Sequence, residues 1–172
     1  MAINYQSIAK KLKFEGRAFI NGKYVNAIDG KKFETINPAT GQKLCTVAKC
    51  NHKDVDLAVK VSRKAFNSGV WSRSSPEHRK EVLLKFADIL RKHGDENSVL
   101  ECVDTGKLVA DCINEVANDA PMHFQWYGEL IDKVFGKVGP TEPSITSLIV
   151  KEPIGVVAGI VPWNFPLMMA VW

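Results

Sequence analysis

The stretch Ile154-Gly155-Val156-Val157-Ala158-Gly159-Ile160-Val161-Pro162-Trp163-Asn164-Phe165-Pro166-Leu167-Met168-Met169-Ala170-Val171-Trp172 decides how this chain is read. It carries one polar side chain, Asn164. Its length alone would let it cross a bilayer as a helix, but the order of its residues speaks against that. Residues 154–161 form a β-branched run with two glycines, the pattern of a strand buried on both faces. Pro162 and Pro166 then break any continuous helix at its middle, and Asn164 would sit unpaired in hydrocarbon. The pattern predicts a buried parallel strand, a turn, and a helix with Pro166 in its first turn. That helix, from Leu167 to Trp172, is apolar on every side and lacks a closing glycine or basic residue. A self-sufficient domain does not normally finish on such a turn. The chain is therefore expected to be the front part of a longer polypeptide that buries residues 154–172.

Working back from this segment, Ile145 to Val150 reads as a strand. Before it lies a loop marked by Gly136, Gly139, Pro140 and Pro143. A long helical pattern covers roughly Leu108 to Val134, with Ile113, Val116, Ala117, Ala120, Phe124, Tyr127 and Ile131 near one face and Pro121 expected to kink or divide it. A short helix is predicted from about Glu96 to Val103. Ser75-Pro76-Glu77 marks a helix start whose buried stripe is Val82, Leu83, Phe86, Ile89 and Leu90, closed by His93-Gly94. Asn51 with Asp54 resembles a capping box for a helix carrying Val55, Ala58, Val59, Ser62, Ala65 and Phe66 on one face. The first half-hundred residues read as a short β-meander, with Asn21-Gly22 as a hairpin turn and Asn37-Pro38 and Thr40-Gly41 as further breaks. The basic leader around Lys10, Lys11, Lys13 and Arg17 is a poor mitochondrial presequence and reads as a solvated helix.

Composition narrows the function classes. The chain has 172 residues, 45% hydrophobic and 24% charged, which excludes collagen-like, low-complexity and disordered classes. Its net charge of +4 is spread out rather than clustered, which argues against a nucleic-acid partner. Cys45, Cys50, Cys102 and Cys112 form no CxxC pair and lie at no zinc-ligand spacing from the histidines, so they read as free thiols in a reducing compartment.

Asn164 is the most informative polar residue. It stands where a strand gives way to a helix, the carboxyl edge at which α/β sheets bind ligands. Read from the residues, it either donates to a developing negative charge on a substrate oxygen or organises the turn between two prolines. Gly155 and Gly159 do not make a G-x-G-x-x-G fingerprint. Asp104-Thr105-Gly106-Lys107 reads as a turn between helices. The cysteines are weak nucleophile candidates, since no histidine is fixed near any of them by spacing.

These residues carry a resemblance. Val161-Pro162-Trp163-Asn164-Phe165-Pro166-Leu167 resembles a segment of the aldehyde dehydrogenase superfamily. So do, in the same order along the chain, Phe19-Ile20-Asn21-Gly22-Lys23, Thr35-Ile36-Asn37-Pro38-Ala39-Thr40-Gly41, Trp71 with Arg79, Asp104-Thr105-Gly106-Lys107, Trp126-Tyr127 and Glu152-Pro153-Ile154-Gly155-Val156. The likeness runs from about residue 17 to the end and is strongest to the NAD-linked group acting on aminoaldehydes. It implies an α/β fold: a leader over 1–16, a β-meander and helices over 17–137, part of an oligomerisation hairpin over 138–153, and the start of a Rossmann-like parallel sheet over 154–172.

The resemblance also implies oxidation of an aldehyde to an acid with NAD or NADP, through attack by a cysteine thiolate, hydride transfer from the thiohemiacetal and release by a glutamate-activated water. Asn164 matches the oxyanion amide. Ile160, Val161, Pro162 and Trp163 match the cofactor contact, and Phe165, Met168 and Trp172 the substrate tunnel. Thr35, Ile36 and Asp104 match a monovalent-cation site of hard oxygen donors. The nucleophile, the general base and the phosphate-binding loop belong to family segments beyond Trp172, so this piece alone is expected to be inactive. The complete protein is expected to be a cytoplasmic dimer or tetramer with a small aldehyde as partner, and no nucleic acid or membrane. Asp119, with Asp111 and Glu115, is a candidate for steering a cationic aminoaldehyde. The rival reading is a non-catalytic module that docks through residues 145–172 by strand addition.

Overall fold

A computed structural model describes residues 3–172 of the chain. The first two leader residues lie outside it. Of the leader, only α1 (Tyr5–Ala9) is helical, capped by the Asn4 side chain accepting from the Ser7 amide.

The expected meander is two separate antiparallel hairpins. In the first, β1 (Ala18–Ile20) pairs with β2 (Lys23–Val25). Its turn holds Asn21 at φ 55° and Gly22 at φ 74°, the doubly left-handed geometry that the Asn-Gly pair supplies. In the second, β3 (Lys32–Ile36) pairs with β4 (Lys43–Ala48), with a register shift between Thr35 and Ile36.

Next comes α2 (His52–Ser68), closed at its start by the predicted capping box. Asp54 extends that box beyond the helix. Its buried carboxylate accepts from the Asn51 amide and, through its other oxygen, from the Ile28 amide, each at 2.9 Å, and so ties the loop after β2 to α2. The predicted buried stripe of α2 is not covered, and Val55 and Val59 are exposed. Only Ala58 and Phe66 of that stripe are half-buried.

The centre of the fold is α3 (Pro76–Lys92) against α6 (Ala120–Leu130). Phe86 and Phe124 meet edge-on, with ring centroids 4.7 Å apart. Gly128 brings the helices close, since a Cβ there would lie 3.3 Å from Leu83 Cβ. Lys80 bridges Glu129 and Asp132, both at 3.0 Å. Helix α3 closes at Lys92 with His93 as its cap, as the His93-Gly94 signal predicts, but the next helix, α4 (Gly94–Thr105), opens at Gly94 itself rather than near Glu96. A Cβ at Gly94 would lie 2.7 Å from Ala117 Cβ, so the residue is there for close packing rather than termination.

The long pattern from Leu108 to Val134 is one continuous helical path with its hydrogen bonding changed on the way. It comprises α5 (Val109–Cys112), a π-helical segment (Ile113–Asp119), α6 and a 3₁₀ turn (Ile131–Lys133). The Ala120 amide reaches back five residues to the Glu115 carbonyl. Pro121 has no amide to donate and its ring crowds the preceding turn; the wider π register absorbs that conflict without dividing the helix.

Two further expectations change. Residues 137–139, read as loop, form β5 (Lys137–Gly139), which pairs with β6 (Ser147–Ile149) in an exposed hairpin. The run from Ile154 to Val161, read as a buried strand, has no strand partner and is exposed, with Ile160 at 99%. Strands exist by pairing, and the described residues offer this run no neighbouring strand. The chain then closes with α7 (Pro166–Val171), whose Met168 and Val171 are buried with Ala120 on α6.

Candidate functional site

The turn into α7 is built by the two prolines. Pro162 ends the extended run, Trp163 and Asn164 turn, and Pro166 takes the first helical position, where its missing amide costs nothing. The Phe165 carbonyl accepts from Met169 at 3.0 Å and starts the helix. Asn164 is half-buried, and its side-chain amide forms no hydrogen bond to the described residues. The backbone makes the turn, and the amide is left over.

Below this turn lies a charged cluster. Lys107, just past the αL cap Gly106, donates to Glu101 at 2.6 Å and also pairs with Glu115. All three side chains are largely buried, Glu101 at 7% exposure and Lys107 at 15%. Burial works against the lysine's charge, and the hydrogen bonds to the two carboxylates outweigh it, so Lys107 is held above the usual lysine value. The Lys107 ammonium also sits 4.6 Å from the centre of the Phe165 ring.

At the far end of α7, Trp172 packs with Met122, His123, Trp126 and Tyr127 around a cavity of about 380 Å³. The Trp172 indole donates to His123 Nε2 at 3.1 Å, while His123 Nδ1 lies 2.8 Å from the Asp119 carbonyl. A carbonyl can only accept, so His123 carries its proton on Nδ1.

A larger cleft of about 830 Å³ lies between the β3–β4 hairpin, α4 and α7. On its wall Thr35 Oγ1 donates to Asp104 Oδ1 at 3.1 Å. Pro38 fixes this approach, because its ring lies where a Cβ on Gly106 would be, 2.8 Å away.

Three of the thiols, Cys50, Cys102 and Cys112, are pushed away from the thiolate form. Burial pushes Cys112 up to about 12 and raises Cys102, and burial together with the charges of Asp54 and Asp29 raises Cys50.

The profile of the aldehyde dehydrogenase family matches residues 24–172. The chain belongs to the aldehyde dehydrogenase family. It is 42% identical over 168 residues to the NADP/NAD-dependent aldehyde dehydrogenase PuuC of Escherichia coli strain K12, a match that covers 98% of this chain and 34% of that protein. Among solved structures it resembles a mutant of the indole-3-acetaldehyde dehydrogenase AldA of P. syringae in complex with NAD+ and IAA, with a TM-score of 0.94 and 43% identity over 98% of this chain and 34% of that one. It is equally similar, at a TM-score of 0.94 and 43% identity with the same coverage, to the γ-glutamyl-γ-aminobutyraldehyde dehydrogenase of Burkholderia cenocepacia J2315. The chain spans about a third of the length of these relatives.

The family residues singled out from sequence fall in four places. Ile160, Val161 and Trp163 are exposed on the unpaired run, with Pro162 between them. Asn164, Phe165 and Met168 gather at α7, where Met168 packs against Ala120 of α6. Trp172 stands apart in the aromatic cluster on α6. Thr35 and Asp104 are brought together; Ile36 follows at the register shift, and no group of three or more His, Cys, Asp or Glu side chains able to hold a metal occurs among the described residues.

Sequence reasoning missed Glu101, Lys107 and Glu115 as a unit, and the pairing of His123 with Trp172. The signal available for it is the spacing of 122/123 and 126/127, four apart and so on one helical face. Glu115, grouped with Asp111 and Asp119 as an acidic face, is instead committed to Lys107.

Proposed function

We propose that this chain is the N-terminal portion of an NAD(P)-dependent aldehyde dehydrogenase that oxidises an aldehyde to a carboxylic acid. The observation that carries the reading is Asn164: a half-buried amide with no partner, at the turn into α7, inside the segment matched by the family. NAD or NADP, when bound, takes up the hydride. Ile160, Val161, Pro162 and Trp163 suit one wall of its site, since they are apolar, largely exposed and unpaired. Asn164 donates its amide to the aldehyde oxygen as negative charge develops there. A donor aimed before the reaction begins needs no reorganisation during it.

Phe165 and Trp172 line the route to that oxygen, and Met168 holds α7 against α6 behind them. Thr35, Ile36 and Asp104 supply oxygen donors for a monovalent cation. The nucleophilic thiol is not one of this chain's four cysteines, all of which lack an activating base.

The substrate is a small aldehyde, with an aminoaldehyde favoured by the likeness to γ-glutamyl-γ-aminobutyraldehyde dehydrogenase. The complete protein is read as a cytoplasmic dimer or tetramer that pairs through residues 138–153, with neither nucleic acid nor membrane as partner. No helix among the described residues is long and apolar enough to cross a membrane.

The test is NADH formation by the complete polypeptide against a panel of amino- and neutral aldehydes. Asn164→Ala is expected to lower kcat by roughly 10²–10³-fold, the usual loss for an oxyanion donor. The 172-residue chain alone is expected to give no NADH. Absence of turnover with every aldehyde, or an Asn164→Ala enzyme as fast as its parent, overturns the reading.

A further inference from the structure

Asn164 can act only if its turn is held still, and the turn's own contacts do not hold it. Its amide forms no hydrogen bond to the described residues, Trp163 is exposed at 77%, and α7 has a single turn and a half of helix. The far end of α7 is fastened by Met168 and Val171 on Ala120 and by Trp172 on His123. At the near end Leu167 packs against the same cluster, and the contact that reaches the turn itself is the Lys107 ammonium over the face of Phe165.

Lys107 is itself held rigidly. Two carboxylates from different elements, Glu101 on α4 and Glu115 on the π-helical segment, fix its ammonium. The helix above the turn and the two elements below it are thus joined through one cation. A cation held this way over an aromatic face is attracted strongly enough to choose between a seated and a displaced turn.

We infer that Lys107 is a positioning residue: its ammonium, clamped by Glu101 and Glu115, seats the Phe165 ring and thereby aims the Asn164 amide. This rests on the proposed oxyanion role of Asn164. Lys107 touches neither substrate nor cofactor in this arrangement and acts through Phe165.

The experiment uses the complete enzyme, with rates expressed per titrated active site. Lys107→Met paired with Glu115→Gln removes the cation and one carboxylate together, so the buried cluster keeps its formal charge of minus one and the variant is expected to fold. Its kcat/KM for aldehyde is expected to fall roughly tenfold, with KM for NAD unchanged. Lys107→Arg, which keeps a cation over the ring, is expected to retain most of the activity. Adding Phe165→Leu to the paired variant should cost nothing beyond what Phe165→Leu costs alone, because both break the same link. Wild-type kcat/KM in the paired variant, a multiplicative further loss on adding Phe165→Leu, or failure of Lys107→Arg to rescue would each overturn the inference.

A readout without catalysis separates this from the function itself. In isotope-labelled protein the Lys107 Cε protons should be shifted upfield by the Phe165 ring and return to ordinary values in Phe165→Leu. A missing upfield shift overturns the contact even in an active enzyme. A shift present in a protein that turns over no aldehyde leaves the Lys107–Phe165 link standing and removes the proposed function instead.

Discussion

At the scale of single residues, burial and partners decide what each group does. Lys107 was legible only as a turn residue after a glycine, because nothing in its spacing announces that Glu101 and Glu115 converge on it from two elements. Cys112 is a clearer case of environment overriding identity. It has no exposed surface, and burial holds its thiol at about 12 against an ordinary 9.0. The folded state therefore favours the protonated thiol. The stability linked to this group is fully present below pH about 9, where the thiol is protonated in both states, and is lost as pH rises through about 12. The denaturation midpoint, followed against pH, should fall along that alkaline limb, and Cys112→Ala should flatten it; an identical limb in the variant would place the loss on another group. The capping box at Asn51 was readable in advance, because both of its members lie within three residues. The third bond of Asp54, to the Ile28 amide, was not, since it joins residues 26 apart.

At the scale of elements, the helices and the first two hairpins followed their patterns, while the run Ile154 to Val161 found no strand partner. Helix α3 begins at Ser75-Pro76 as its cap dictates, for the signal is local. That helix ends at His93 as its signal says, but Gly94 does not cap it in the αL conformation: it opens α4, and its bare α-carbon serves close packing against Ala117 from the helical path after α4. Gly106 does both. At φ 80° it closes α4, and its bare α-carbon admits the Pro38 ring. Gly106→Ala would add left-handed strain and a clash at 2.8 Å with Pro38. A loss of about 1–3 kcal/mol is expected in denaturant unfolding, with a weakened approach of Thr35 to Asp104. A loss below about 0.5 kcal/mol would mean that the Pro38 turn moves freely and does not set that approach.

At the scale of the whole molecule, exposure is the dominant fact. The chain presents 12613 Å² to solvent, against about 8,400 Å² expected for a folded monomer of its 19.1 kDa. Much of the surplus is apolar and contiguous along the chain: Val138, Leu148, Ile149 and Val150 on the β5–β6 hairpin, then Ile154, Val157 and Ile160 on the unpaired run. Surfaces of that kind associate in water. The isolated 172-residue chain is expected to self-associate at micromolar concentration in sedimentation velocity, and Leu148→Glu with Ile160→Glu should shift it toward monomer. A monodisperse monomer before substitution would show that these residues find cover within the chain.

The order of elements, the helix starts, the proline-bounded turn and the family itself were all determined by the sequence, because each depends on neighbours a few residues apart or on motifs read in line. The buried lysine with its two carboxylates, the Thr35–Asp104 approach and the seating of α7 on α6 were decided only by the tertiary structure. Each joins elements distant in the chain, and the free energy of such a contact exists only after folding has brought its partners together and removed water from between them.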